Sequence, residues 1–239
     1  MRELMGPAST TAILLFTRTA QEEAAVKAFV PHRTGRHNLR IARRLIRHSI
    51  KTARQTNLPL HIVYSSQQRG DSFGERLAGA VEDTLALGYE RVLVIGNDCP
   101  RINRKLLRRA ARQLGEQDWV LGPSKEGGLY LIGINRRCYQ REAFISLHWQ
   151  QADLYHDLCD QLAQKGQQLL SLPVFQDIND DKALQAVLPF LPMAILRMLL
   201  EPKTIRQFPS LHRPIRPGWE TFSLQRALRA PPTFPVHLS

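Results

Sequence analysis

Val92-Leu93-Val94-Ile95-Gly96-Asn97-Asp98-Cys99-Pro100 sets the reading of the whole chain. Four consecutive apolar residues after Arg91 predict a strand buried on both faces, because a half-buried strand would alternate. Gly96 permits an unusual backbone shape at the strand's end, and Pro100 stops the strand from continuing. Asp98 is thereby delivered to a sheet edge. A carboxylate there suits a hard divalent cation, Mg²⁺ or Mn²⁺, which also bridges phosphate oxygens. A second reading is equally open from these nine residues: Asp98 caps the helix that begins near Asn103, or satisfies amides of its own turn.

Working outward, short apolar runs alternate with helical periods. Thr11–Thr17, 60–65, Arg91–Ile95, 119–122, 129–134 and 168–173 read as strands. Helices are predicted over 38–55, 74–87 (closed by Gly88), 103–114 (capped by Asn103), 152–166 and, as a buried packing helix, 186–200. This alternation predicts a three-layer α/β/α sandwich with a mostly parallel central sheet. Ligands of such sheets collect at the carboxyl ends of the strands, which selects the loops after Phe16, Ser65 and Ile95.

The 239 residues are 43% hydrophobic and 23% charged, enough for one large core, and no run approaches the roughly twenty apolar residues of a membrane span. Three scattered cysteines make neither a disulfide framework nor a zinc site. With no secretory cleavage signal after the first apolar run, a cytoplasmic location is expected. One domain is expected over 1–200, followed by a basic, Pro-rich tail over 201–239. That tail holds seven prolines and no sustained period, and it is a candidate arm for an oligomer.

The net charge of +12 is uneven: between Ala24 and Gly70 there are ten Lys or Arg and no Asp or Glu. On the 38–55 helix, Arg40, Arg43, Arg44, Arg47, Lys51 and Arg54 form a stripe opposite the apolar one. Such a stripe is either a solvated face or a site for an anionic ligand, nucleic acid included. No helix-turn-helix, zinc-finger or RNA-recognition signature accompanies it. A further motif is Leu121-Gly122-Pro123-Ser124-Lys125-Glu126-Gly127-Gly128, in which paired glycines suit a tight turn. Glu126 is open to two readings, a catalytic or metal-sphere carboxylate and a solvated turn residue. His148-Trp149 reads either as a ligand-stacking wall or as core.

Taken in order, several motifs resemble one family. They are Phe16-Thr17-Arg18; Gly70-Asp71-Ser72-Phe73-Gly74-Glu75-Arg76; Gly96 to Pro100; Gly122 to Leu131; Trp149; and Asp177-Ile178-Asn179. The sequence is similar, over roughly residues 11 to 185, to the glycosyltransferase-like family called radical-SAM/selenodomain-associated transferase type 1. That family belongs to the GT-A nucleotide-diphospho-sugar transferases. The resemblance implies a GT-A fold, with Asp98 as the metal-binding aspartate, the loop after Phe16 facing phosphates, and Gly70 to Arg76 near base and ribose. This chain departs from the family pattern in two places. The segment after Arg18 keeps Lys27 but lacks the family's glycine and arginine, and Glu126 and Asn179 replace aspartates.

The expected function is metal-dependent transfer from a nucleotide-activated donor, a nucleotide sugar or a nucleoside triphosphate, by glycosyl or nucleotidyl transfer. Asp98 and Asp177 would hold the metal, with Asp98, Glu126 and Asp177 as the catalytic set. Phe16, Thr17, Arg18, Lys27, Gly70, Gly74, Arg76, Gly96, Asn97, Gly127 and Gly128 would line the nucleotide. The alternatives are a degenerate protein that binds nucleotide or another anion without turnover, and nucleic-acid binding through the basic stripe and the tail.

Overall fold

The computed structural model describes residues 10–29, 35–191 and 193. Along the chain come β1 (Thr11–Thr17), α1 (Ala20–Val26), α2 (Gly35–Arg54), β2 (Leu60–Tyr64), α3 (Phe73–Ala86), β3 (Arg91–Ile95) and α4 (Arg104–Gln113). Then follow β4 (Trp119–Pro123), β5 (Leu129–Asn135), α5 (Arg141–Ile145), α6 (Leu154–Gln164), β6 (Leu169–Ser171) and α7 (Asp181–Val187).

The six strands form one sheet in the order β2-β1-β3-β5-β4-β6. All pairings are parallel except those of β5, which runs against both neighbours because it returns from β4 through a hairpin. Side chains alternate across the sheet as a pleated strand requires. Leu14, Val92, Val94 and Leu121 enter one core with α3, α5 and α6, whereas Ile13, Leu15, Leu93, Ile95 and Val120 enter the other with α2 and α4. The sandwich architecture expected from the alternating pattern is therefore the one observed.

From β1 the chain passes to β2 on one side and later to β3 on the other, so a topological switch point lies between the carboxyl ends of β1 and β3. After β6 the chain crosses that edge as a strap. Leu172 N–H donates to the Leu121 carbonyl (2.7 Å), Phe175 N–H to Pro123 (3.1 Å) and Ile178 N–H to Asp98 (2.8 Å). Asp180 then bridges to Ala28. A third core anchors the strap, with Ile178 packed among Phe29, Ile41, Leu45, Leu184 and Val187.

Some local readings change. Helix α1 occupies what reads as loop, started by a capping box in which Thr19 and Glu22 satisfy each other's backbone amides. Arg44 is buried rather than part of the exposed stripe. Gly96 is absent from the positive-φ residues, so an unusual backbone is not its role; a Cβ there would instead lie 3.0 Å from Asp98 Oδ1. Of the 186–200 segment, α7 ends at Val187, a 3₁₀ turn covers Leu188–Phe190 and Leu191 is buried after it; residues 192 and 194–200 lie outside the described residues, as does the 201–239 tail with its oligomer role.

Candidate functional site

Strand β3 ends at Ile95, and the next three residues bend over the switch point. Asn97 is buried, and the Thr17 hydroxyl at the end of β1 donates to its Oδ1 (3.0 Å). Asp98 stands over the same crevice with its side chain 28% exposed. It does not cap α4, since Asn103 takes that role by accepting from Leu106 N–H (3.0 Å). Beneath it Cys99 is buried, and burial, with Asp177 and Asp98 nearby, pushes its thiol well above the usual range, so it is an inert packing residue.

Lys27 follows α1 and reaches across to Asp98 Oδ2 (2.9 Å) while also pairing with Glu23 Oε2 (3.3 Å). Both Lys27 and Glu23 are buried, and Arg18 adds a longer contact to Glu23 Oε1 (3.5 Å). Burial works against the Lys27 ammonium, but Asp98 and then Glu23 outweigh it, and its pKa rises. Burial likewise works against the Asp98 carboxylate. Lys27 outweighs that too, and holds Asp98 below the usual carboxylate range.

The strap brings in Asp177, which is buried and in contact with Ser124. Burial first, then the charges of Asp98 and Glu126, push its carboxyl up. Three polar atoms here are buried without a hydrogen-bond partner among the described residues: Glu23 Oε2, which Lys27 still faces as an ion pair, and the pair Asp177 Oδ1 and Asn97 Nδ2. Buried polar groups are ordinarily satisfied, so such a pair at a switch point marks a place for a ligand.

Thr17, Arg18, Lys27, Gly96, Asn97, Asp98 and Asp177 thus gather at one crevice, with Phe16 at the end of β1 packing edge-on against Phe73 (5.8 Å between centroids). Glu126 is exposed and accepts a hydrogen bond from Gln176 on the strap, so it borders the crevice rather than filling it. Gly127 has φ +81°, and a Cβ there would come within 1.5 Å of the Ala152 carbonyl oxygen. Gly128 lies beside the Ser124 hydroxyl.

Gly70 and Arg76 form a separate turn after β2, where Arg76 Nη1 donates to the Asp71 carbonyl (2.9 Å). Gly74 makes room for Trp149, whose ring would lie 2.7 Å from an added Cβ. Trp149 itself packs on Phe73 and Phe144, the core reading. Sequence reasoning missed Glu23 and Ser124. Glu23 had only one signal, its i,i+4 spacing from Lys27, and Ser124 had none beyond its place in the glycine motif.

The carboxylates of Asp98 and Asp177 are hard oxygen donors from segments far apart in sequence, and Asp177 Oδ1 is unpartnered; this donor set fits Mg²⁺ or Mn²⁺. Among the described residues, His148, Asp153 and Asp157 make a second, exposed group with ligand atoms within 4.8 Å of one another. No described helix is long and apolar enough to cross a membrane.

Residues 32–151 match the sequence profile of a family described as an uncharacterized protein conserved in bacteria, DUF2064. No curated protein matches the chain in sequence. Among solved structures, a candidate nucleotide-diphospho-sugar transferase from Desulfovibrio desulfuricans G20 is 19% identical with a TM-score of 0.64, over 80% of this chain and 98% of its own. A Mycobacterium sp. strain JC1 homologue of Mycobacterium tuberculosis Rv0371c is 10% identical over 80% of this chain and 100% of its own, with a TM-score of 0.48. A cytidylyltransferase from Leptospira borgpetersenii serovar Hardjo-bovis (strain JB197) is 11% identical over 80% and 94%, with a TM-score of 0.47. At 19% identity the first of these likenesses speaks for the fold alone.

Proposed function

The chain belongs to the DUF2064 family, and on that premise we propose that it is a metal-dependent transferase acting on a nucleotide-activated donor, by glycosyl or nucleotidyl transfer. One observation carries the reading. At the switch point of a mostly parallel sheet, a lysine-paired Asp98 adjoins a buried Asp177, and one oxygen of Asp177 and the amide nitrogen of Asn97 have no partner. The resemblance to the radical-SAM/selenodomain-associated transferases, which share the Asp98 turn and the late acidic segment, supports the same conclusion.

In this reading Asp98 and Asp177 hold the cation. When bound, it neutralises charge on the leaving phosphate, the main electrostatic task of such transfers. Lys27 keeps Asp98 ionised and adds positive charge beside the phosphates. Thr17 fixes the Asn97 amide, leaving its nitrogen as a donor to the ligand. Gly96 lets the Asp98 carboxylate fold back over the strand end without a Cβ in its way. Arg18, partly exposed, faces the first loop as a second cation. Glu126 borders the site from the hairpin turn, where it orients an acceptor.

A specific observation favours a second reading, a nucleotide binder without turnover. Glu22 caps α1 and also contacts Ser65, and Glu126 is tied to Gln176, so two positions that bear on phosphate and acceptor are occupied by internal contacts. A thermal-shift screen of nucleoside di- and triphosphates and nucleotide sugars, with and without Mn²⁺, followed by donor hydrolysis, separates the two. Metal-dependent stabilisation with hydrolysis is the expected result. Stabilisation that ignores metal, with no turnover, would establish the binder.

A further inference from the structure

The two faces of the sheet differ in how they treat charge. On the α3, α5 and α6 face, basic residues meet acids: Arg69 pairs with Asp83, Arg141 with Glu82, and His148 with Asp157. Helices α2 and α4 cover the other face, and neither contains an acidic residue. Helix α2 presents Arg36, Arg40, Arg43, Arg47, Lys51 and Arg54 at least partly to solvent. Helix α4 presents Arg104, Lys105, Arg108, Arg109 and Arg112. Among the described residues, none of these eleven side chains has an acid within ion-pair distance.

The two helices run in the same direction but staggered, the end of α2 lying beside the start of α4. His48 Nε2 meets the Pro100 carbonyl at 3.1 Å and Arg108 Nε donates to the Thr56 carbonyl at 3.2 Å, both links joining positions 52 residues apart. Ala53, Leu107 and Ala110 share the core below them. Their basic residues therefore make one continuous track. At about 1.5 Å per residue, α2 alone runs for about 30 Å, close to the roughly 34 Å of one turn of a nucleic-acid duplex.

We infer that this track binds the phosphate backbone of double-stranded nucleic acid without regard to sequence. Nine of the eleven residues are arginine, whose planar fork matches phosphate oxygens bidentately. The exposed large apolar residues are Val26, Leu87, Val174, Phe190 and Met193, none of which lies on α2 or α4. The track therefore offers nothing to insert between lipid acyl chains and no aromatic platform for unpaired bases. What remains is charge complementarity to a rigid row of phosphates, whose affinity comes from counterion release. The inference stands whether or not the chain is a transferase.

The test is fluorescence anisotropy of the full chain with a labelled, mixed-sequence DNA duplex of 24 base pairs, between 50 and 200 mM salt. With six or more phosphate contacts, binding should weaken by about 1,000-fold or more over that range. The variant Arg43→Gln/Arg47→Gln/Arg109→Gln/Arg112→Gln, which spares the Arg108 link, should melt like the unmodified protein, yet bind the duplex at least tenfold more weakly and with a salt dependence shallower by about three to four in log–log slope. A duplex that fails to bind at 50 mM salt would overturn the inference, as would a variant that binds like the parent. Co-sedimentation with phosphatidylserine vesicles in the absence of duplex binding would overturn it too, and would make the track a membrane surface.

Discussion

Two loops leave the carboxyl edge of the same sheet and solve their polar accounting in opposite ways. After β2, the turn from Gly70 to Arg76 closes on itself. Glu75 accepts from the amides of Asp71 and Ser72, Ser72 accepts from Glu75 N–H, and Arg76 covers the Asp71 carbonyl. After β3, the turn from Gly96 to Pro100 leaves Asn97 Nδ2 unsatisfied, and beside it the strap leaves Asp177 Oδ1 bare. A turn that satisfies its own groups is built for stability. A turn that keeps buried polar atoms unpaired bears a cost, which the proposed nucleotide and metal would offset.

Mutations should separate the two loops. The largest effect is expected from Asp98→Ala: metal-dependent nucleotide binding should fall at least 100-fold in calorimetric titration, while unfolding stays cooperative because the residue ends a strand and fills no core. Parental affinity in that variant would end the distinction between the loops. Next comes Gly127→Val, which sets a β-branched residue at φ +81° against the Ala152 carbonyl. It should cost about 3 kcal/mol or more, a fall of roughly 6–12 °C in Tm, and an unchanged melting curve would mean the hairpin yields freely.

Asp177→Asn should uncouple stability from function. Because the native pKa of Asp177 lies above its ordinary 3.8, the folded state holds this proton more tightly than the unfolded chain does. Its contribution to stability therefore declines as pH rises from that ordinary value through the raised one. The asparagine variant removes the decline, so at neutral pH it should melt about 2–4 °C higher, an effect of about 1 kcal/mol, while binding metal and nucleotide poorly. A Tm difference that did not grow with pH would argue against a buried, repelled carboxylate. Smallest of all, Arg76→Ala should lower stability by about 0.5–1 kcal/mol and leave nucleotide affinity nearly untouched, as befits the self-satisfied loop. A large affinity loss there would instead put the β2 loop in the binding site.

Most of the architecture was legible because it depends on local pattern. The run Arg91–Ile95 is a strand to the residue, and Asn103 caps its helix as its side chain predicts. The same pattern puts Asp98 just past the carboxyl end of β3, where the structure has it. What local pattern does not carry is convergence. Nothing beside Glu23 in the sequence announces its burial, which comes where α1 folds against α2. Arg44 falls on the basic stripe by helical spacing yet is buried. The role of Gly96 was misassigned for a related reason: its requirement is set by the side chain two residues on, which propensity does not see. Asp177 entered only through resemblance, since nothing in its own neighbourhood announces Asp98.

That the crevice is completed by a strap has a consequence in time. Asp177 meets Asp98 only when Ile178 has bonded to the Asp98 carbonyl, eighty positions later in the chain. During synthesis from the N-terminus, β1, β2 and β3 can associate while the second carboxylate is still unmade or within the exit tunnel. Ligand affinity should therefore be among the last properties a nascent or refolding chain acquires, lagging behind sheet formation by the time needed to close this long loop.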